Sequence, residues 1–257
     1  MTEAAAPSWN PLDQASFFAM EKFEAGQFAI TEPLLHDLLQ SLIAAQVLIV
    51  NTVHRAMEQP QTGDATTPVF GLAYRVVDDF RTAQHLLLLG YIVQATLAAR
   101  DSLESAALCL LLAKHPEETE RYYKGEQFGP GQVRKVLTEA GDIDKEMLEG
   151  TGRTYGFLSK FTHPNIEGLA YTIDEEDQGG GNILRMFRAG GTNEVKRLLM
   201  FSTMCLGTAM TAAVLVADAL VPFLPEVDHQ ALHSARSIVM KLAAPALAEA
   251  VSRHANS

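Results

Sequence analysis

The sequence predicts an all-α protein, a helical bundle with one inserted β-hairpin at about residues 169–187. Three observations lead there. Apolar residues recur with a period of about 3.6 through most of the 257 residues. The breaks between periodic stretches fall on Pro and Gly clusters: PQTGDATTP at 60–68, HP at 115–116 and GEQFGPGQ at 125–132. One stretch alone changes period. Leu169-Ala-Tyr-Thr-Ile173 alternates, and Ile183 to Phe187 can pair with it across the acidic, glycine-rich turn DEEDQGGGN.

Taken in order, residues 1–12 are polar, contain proline and are expected to be loose. Leu12 to Ala25 carries Phe17, Phe18, Met20 and Phe23 at helical spacing, and Gly26 is expected to end that helix. Thr31 then caps a new helix, with Pro33 in its first turn, running to about Gln59. Helices follow at Val69 to Leu89 and Tyr91 to Lys114, with Gly90 either separating them or denting one long helix. Two short helices are expected at Glu117 to Lys124 and Val133 to Glu139. Ile143 to His163 is the next, stopped by Pro164, which cannot continue the hydrogen-bond ladder. After the hairpin, Asn193 to Val221 and Val227 to about Arg253 complete the set, the last with a possible disturbance at Pro245. No linker is long or biased enough to divide the chain, so residues 1–257 are expected to form one helical domain.

Composition narrows the function classes. At 47% hydrophobic residues the chain can bury a core without covalent staples. Its two cysteines, Cys109 and Cys205, stand in apolar runs and read as small hydrophobes in a reducing compartment. A net charge of −11 repels phosphate backbones and disfavours RNA or nucleotide partners. MTEAAAPSWN lacks the basic and apolar regions of a secretory signal, so a cytoplasmic location is expected. Leu198 to Val221 is long enough to span a membrane and carries only Asp218 as a charge. Ser202, Thr203, Thr208 and Thr211 interrupt it, so a core helix or dimer interface is the main reading and a membrane span the minor one. A homo-oligomer is expected.

Two helices carry the candidate chemistry. Tyr155, Ser159 and His163 lie four residues apart along one helix edge, and His163 sits at the helix C-terminus, where the dipole favours imidazolium. Arg100 and Glu104 are spaced one turn apart in line with Val93, Leu97, Ala107 and Leu111. The opposite face of that helix is small and weakly polar: Gln94, Ala98, Ser102, Ser105 and Cys109. A charged pair among large apolar residues keeps spare donors and lone pairs. Tyr155, Ser159 and His163 are suitable partners for them, and the two helices are expected to cross there.

Weaker candidates are also present. Asp78, Arg81 and His85 share a helix face expected to be solvated or at an interface. Glu226 and His229 have the spacing of one half of a di-iron carboxylate site, but no second half is found. Asp174 to Asp177 lacks calcium-loop spacing, and Gly179 to Gly181 lacks a phosphate-loop context. No metal or cofactor is implied.

Arg100-Asp-Ser-Leu-Glu104 followed by Tyr155-x-x-Leu-Ser159-x-x-x-His163-Pro resembles a pattern in uncharacterised bacterial helical proteins grouped near the HEPN-type bundles. The resemblance covers about residues 70–220. It implies a helical bundle and a setting in bacterial stress, phage defence or toxin–antitoxin systems. HEPN ribonucleases pair an arginine with a histidine a few residues later on an RNA phosphate. Here Gly156, Phe157, Leu158 and Ser159 hold the positions where that arginine would stand, so Arg100 would have to supply the guanidinium from another helix. Two function classes follow: a regulatory or interaction protein whose polar cluster is structural, and an enzyme acting on RNA or nucleotides through His163 and Arg100, with Glu104, Ser159 and Tyr155 in support.

Overall fold

The computed structural model describes residues 15–59, 66–143, 152–153, 155–156, 158–159 and 192–255. Helices hold 89% of the described residues and none is in a strand, so the chain is all-α there. The expected hairpin at 169–187 and the end of the His163 helix lie outside the described residues.

Seven helices are defined: α1 (Ala15–Met57), α2 (Thr66–Leu88), α3 (Ile92–Lys114), α4 (Pro116–Tyr123), α5 (Pro130–Glu139), α6 (Thr192–Leu220) and α7 (Glu226–Ala255). A single 3-10 turn, Val221–Phe223, built around Pro222, joins the last two. α6 is the central helix. It packs against α1, α2, α3 and α7, and it buries Phe201, Leu206, Met210, Leu215, Val216 and Leu220. Burying each of these large side chains contributes about 2 kcal/mol. Of the sequence's readings for this stretch, the core helix matches this placement. Two helical stretches, Thr31–Met57 and Leu198–Phe223, are long and apolar enough to cross a membrane.

α1 departs from the expected pair of helices. It continues through Gly26 and holds Pro33 in its interior. Proline there removes one backbone bond, to the carbonyl four residues earlier. Tertiary contacts offset that loss: Leu35, Leu38 and Leu42 are buried. Thr31, expected to cap the helix, is itself buried and donates from Oγ1 to the Leu88 carbonyl at 2.7 Å. That bond pins α1 to the end of α2. α7 likewise runs unbroken past Pro245.

Gly90 separates α2 from α3 outright. Its φ of 82° is left-handed, the conformation glycine adopts without steric cost. Gly90 N–H donates to Leu87 O at 3.1 Å and Tyr91 N–H to Leu86 O at 2.8 Å, the two bonds of a Schellman cap. The chain reverses there, and α3 returns along α2.

α3 buries its small face as well as part of the face in line with Arg100, where Ala107 and Leu111 are buried. Ala95, Ala98, Ala99, Ser102, Ser105, Ala106 and Cys109 are buried, whereas Leu97 is 40% exposed. Small residues face α2 and α6 there, and their polar atoms find acceptors within α3 or across on α2. Ser102 Oγ donates to Ala99 O at 2.6 Å, and Cys109 Sγ to Val69 O at 3.4 Å. Arg100 and Glu104 therefore lie at the margin of the core, not in its middle.

Candidate functional site

At that margin, Arg100 organises two carboxylates. Its Nε stands 3.3 Å from Glu104 Oε1, one helical turn on, and its Nη2 3.6 Å from Asp101 Oδ1. The Arg100 side chain is 18% exposed and that of Glu104 31%. The facing atoms, Arg100 Nε and Glu104 Oε1, are themselves buried while the rest of each side chain reaches water, so the attraction between them is partly offset by desolvation.

Tyr155 comes to the same place from the chain beyond α5. Gly152, Arg153, Tyr155, Gly156, Leu158 and Ser159 are helical, and fully buried Leu158 seats that turn in the core. The Arg100 guanidinium lies 5.7 Å from the Tyr155 ring centroid. The Arg134 guanidinium, from α5, lies 4.8 Å from it. Burial, and then a hydrogen bond with Glu104, raise the Tyr155 pKa above its ordinary value. The phenol is thus a protonated donor at neutral pH, with Glu104 and Ser159 beside it. Of the five residues singled out by sequence, Arg100, Glu104, Tyr155 and Ser159 meet; His163 lies outside the described residues.

Glu104, Tyr155 and the neighbouring Asp101 border a cleft of about 620 Å³ between α2, α3 and α5. Arg75, Glu104, Tyr122, Phe128, Arg134 and Tyr155 contribute to its walls. The Phe128 wall is set by Gly125, whose φ of 77° ends α4 and turns the chain into the loop. Arg121 then reaches back to the loop, 2.8 Å from Glu126 Oε2, with its guanidinium 5.3 Å from the Phe128 ring centroid.

Sequence reasoning missed four participants. Arg134 was one; inward-facing Val133 and Leu137 place it at a helix margin, but nothing local says which ring it will meet. Arg75 was another. Asp79, one turn after Arg75 on α2, is half-buried, and its Oδ2 is buried with no hydrogen-bond partner among the described residues. Burial chiefly raises its pKa to about 6, Asp101 and Asp78 push the same way, and Arg75 opposes them. His115 is the fourth. Its Nε2 lies 2.7 Å from Asp142 Oδ2 and its Nδ1 3.3 Å from Glu117 Oε1, tying the α3–α4 junction to the end of α5. Asp78, Arg81 and His85 are exposed. His229 hydrogen-bonds through Nε2 to the Leu224 carbonyl at 3.3 Å. Among the described residues no cluster could hold a metal ion.

A second concavity, of about 560 Å³, runs between α1 and α7. The two helices are antiparallel, since Ser41 Oγ donates to Leu242 O at 3.3 Å and Arg55 Nε to Asp228 Oδ2 at 2.7 Å. Its floor is Ala44, Leu48, Ala235 and Val239. Val47, Ile238 and Leu242 flank it and are 51%, 58% and 54% exposed. Among the described residues Arg55 and Asp228 are its charged ones, and they neutralise each other.

Comparison with family models, with curated proteins and with solved structures finds no match to this chain.

Proposed function

We propose that this chain is a helical-bundle interaction protein that works as a self-associated assembly, with the Arg100 cluster serving mainly to hold α3 to the Tyr155 turn. The observation that carries this is the α1–α7 groove. Of the most apolar stretch of Thr31–Met57 only 44% is buried, against 72% for Leu198–Phe223. So large an apolar helix face is costly to leave in water, and contiguous patches of this kind mark interfaces.

The occupant is a second copy. The groove's charges cancel internally, so a charged partner gains nothing from it. The rest of the chain is strongly acidic, at −11, which disfavours anionic membranes. Val47, Ile238 and Leu242 stand as ridges beside a floor containing alanines. Two copies related by a two-fold axis can set each other's ridges into those troughs, as helix pairs pack in four-helix bundles.

Light scattering after size exclusion tests it. The chain is expected to elute at twice its 28.0 kDa mass, and Val47→Asp and Ile238→Glu at the monomer mass with unchanged circular dichroism. A monomeric parent chain, or co-sedimentation with phosphatidylcholine vesicles that those substitutions abolish, would overturn it. The alternative is a HEPN-like enzyme acting on RNA or nucleotides. Its support is that Arg100 stacks near Tyr155, on the segment leading to His163. Loss of an RNA-cleaving or nucleotide-cleaving activity in His163→Ala, with melting unchanged, would favour it.

A further inference from the structure

We infer that the α2–α3–α5 cleft is a binding site for a small molecule carrying a carboxylate or a phosphate, held between Arg75 and Arg134 with its body against Tyr122 and Phe128. This does not depend on the groove or on self-association.

Volume comes first. About 620 Å³ is the size of a small-molecule site. The charges then select the ligand. Among the described residues three carboxylates line the cleft, and each already faces a guanidinium: Glu104 and Asp101 face Arg100, and Glu126 faces Arg121. The two arginines among the described lining residues, Arg75 and Arg134, are placed differently. Neither Arg75 nor Arg134 has a carboxylate within 4.0 Å among the described residues. Arg134 rests on the Tyr155 ring, and Arg75 has Asp79, one turn away, as a partial counter-charge. The cleft thus offers guanidinium forks whose hydrogen-bond donors are not used by an acid, and such forks match the two-oxygen edge of a carboxylate or phosphate.

The same lining argues against a long polyanion. Asp101, Glu104 and Glu126 would repel successive phosphates of an RNA strand, and the chain as a whole is acidic. A single oxyanion avoids that repulsion while keeping both arginines. Tyr122 and Phe128 supply flat apolar surface, so an aromatic or other planar body suits the remaining space.

The test uses the full chain at low ionic strength, titrated calorimetrically with benzoate, phenyl phosphate, inorganic phosphate and uncharged benzamide. Saturable binding of benzoate or phenyl phosphate is expected, with Kd no weaker than about 10 mM for ligands of this size. The stronger of the two identifies the head group. Arg134→Gln and Arg75→Gln should each weaken it about tenfold. Arg81→Gln, on the exposed face of α2 and outside the cleft, should leave it unchanged. Benzamide binding equally well, an equal effect of Arg81→Gln, or no saturable binding of either aryl anion overturns the inference. Binding of inorganic phosphate that ignores Arg75 and Arg134 also overturns it.

Discussion

Asp79→Asn makes the carboxylate environment beside the cleft measurable. In the native protein the Asp79 carboxyl is pushed up to about 6 from 3.8, chiefly by burial. Between about pH 4 and pH 6 the folded chain therefore holds a proton that the unfolded chain has released. Stability must fall as pH rises through that window, and the full cost of the buried charge is present above it. A rise of about two units corresponds to at most about 3 kcal/mol. The carboxyl is only half-buried, so solvent screening reduces this to about 1.5 kcal/mol. Asn is neutral at every pH and nearly the same size. The variant should be about 1.5 kcal/mol more stable than the parent at pH 7.5, equivalent to a Tm about 3–6 °C higher for a chain of this size. At pH 3.5, where Asp79 is protonated in the folded chain and mostly so in the unfolded one, the difference should nearly vanish. Urea unfolding at pH 3.5, 5, 6 and 7.5 reads this directly. A variant less stable than the parent at pH 7.5, or a difference that does not change with pH, refutes the reasoning.

Two further substitutions probe the packing. Glu104→Ala removes the carboxylate one turn from Arg100 and an acceptor from Tyr155, which should cost about 1–2 kcal/mol in urea unfolding. A neutral result would mean the Arg100 group contributes nothing to holding the Tyr155 turn. Gly90→Ala forces a side chain into left-handed backbone at φ 82° and should lower stability by about 1 kcal/mol, with a smaller effect ruling out the αL turn between α2 and α3.

What the sequence determined by itself was local. The 3.6-residue period gave α2 to α7 nearly to their ends, because one-sided burial leaves its mark every turn. His115-Pro116 and Gly125 to Gly129 marked breaks through backbone geometry alone. The turn-to-turn pairing of Arg100 with Glu104 was likewise legible from spacing. Tertiary structure decided everything that depends on which distant segments meet. Gly26 and Pro33 read as a boundary, yet α1 passes through both, because contacts such as Thr31 with Leu88 outweigh one missing backbone bond. The residues in line with Arg100 on α3 divide, Ala107 and Leu111 being buried and Leu97 40% exposed, because the helices around α3 also cover its small face of Ala98, Ser102, Ser105 and Cys109. Arg134 came to Tyr155, and Val47 to a groove with Ile238, across separations that no periodicity records. Propensity acts within a few residues, whereas the cleft and the groove are made by helices that are neighbours only after folding.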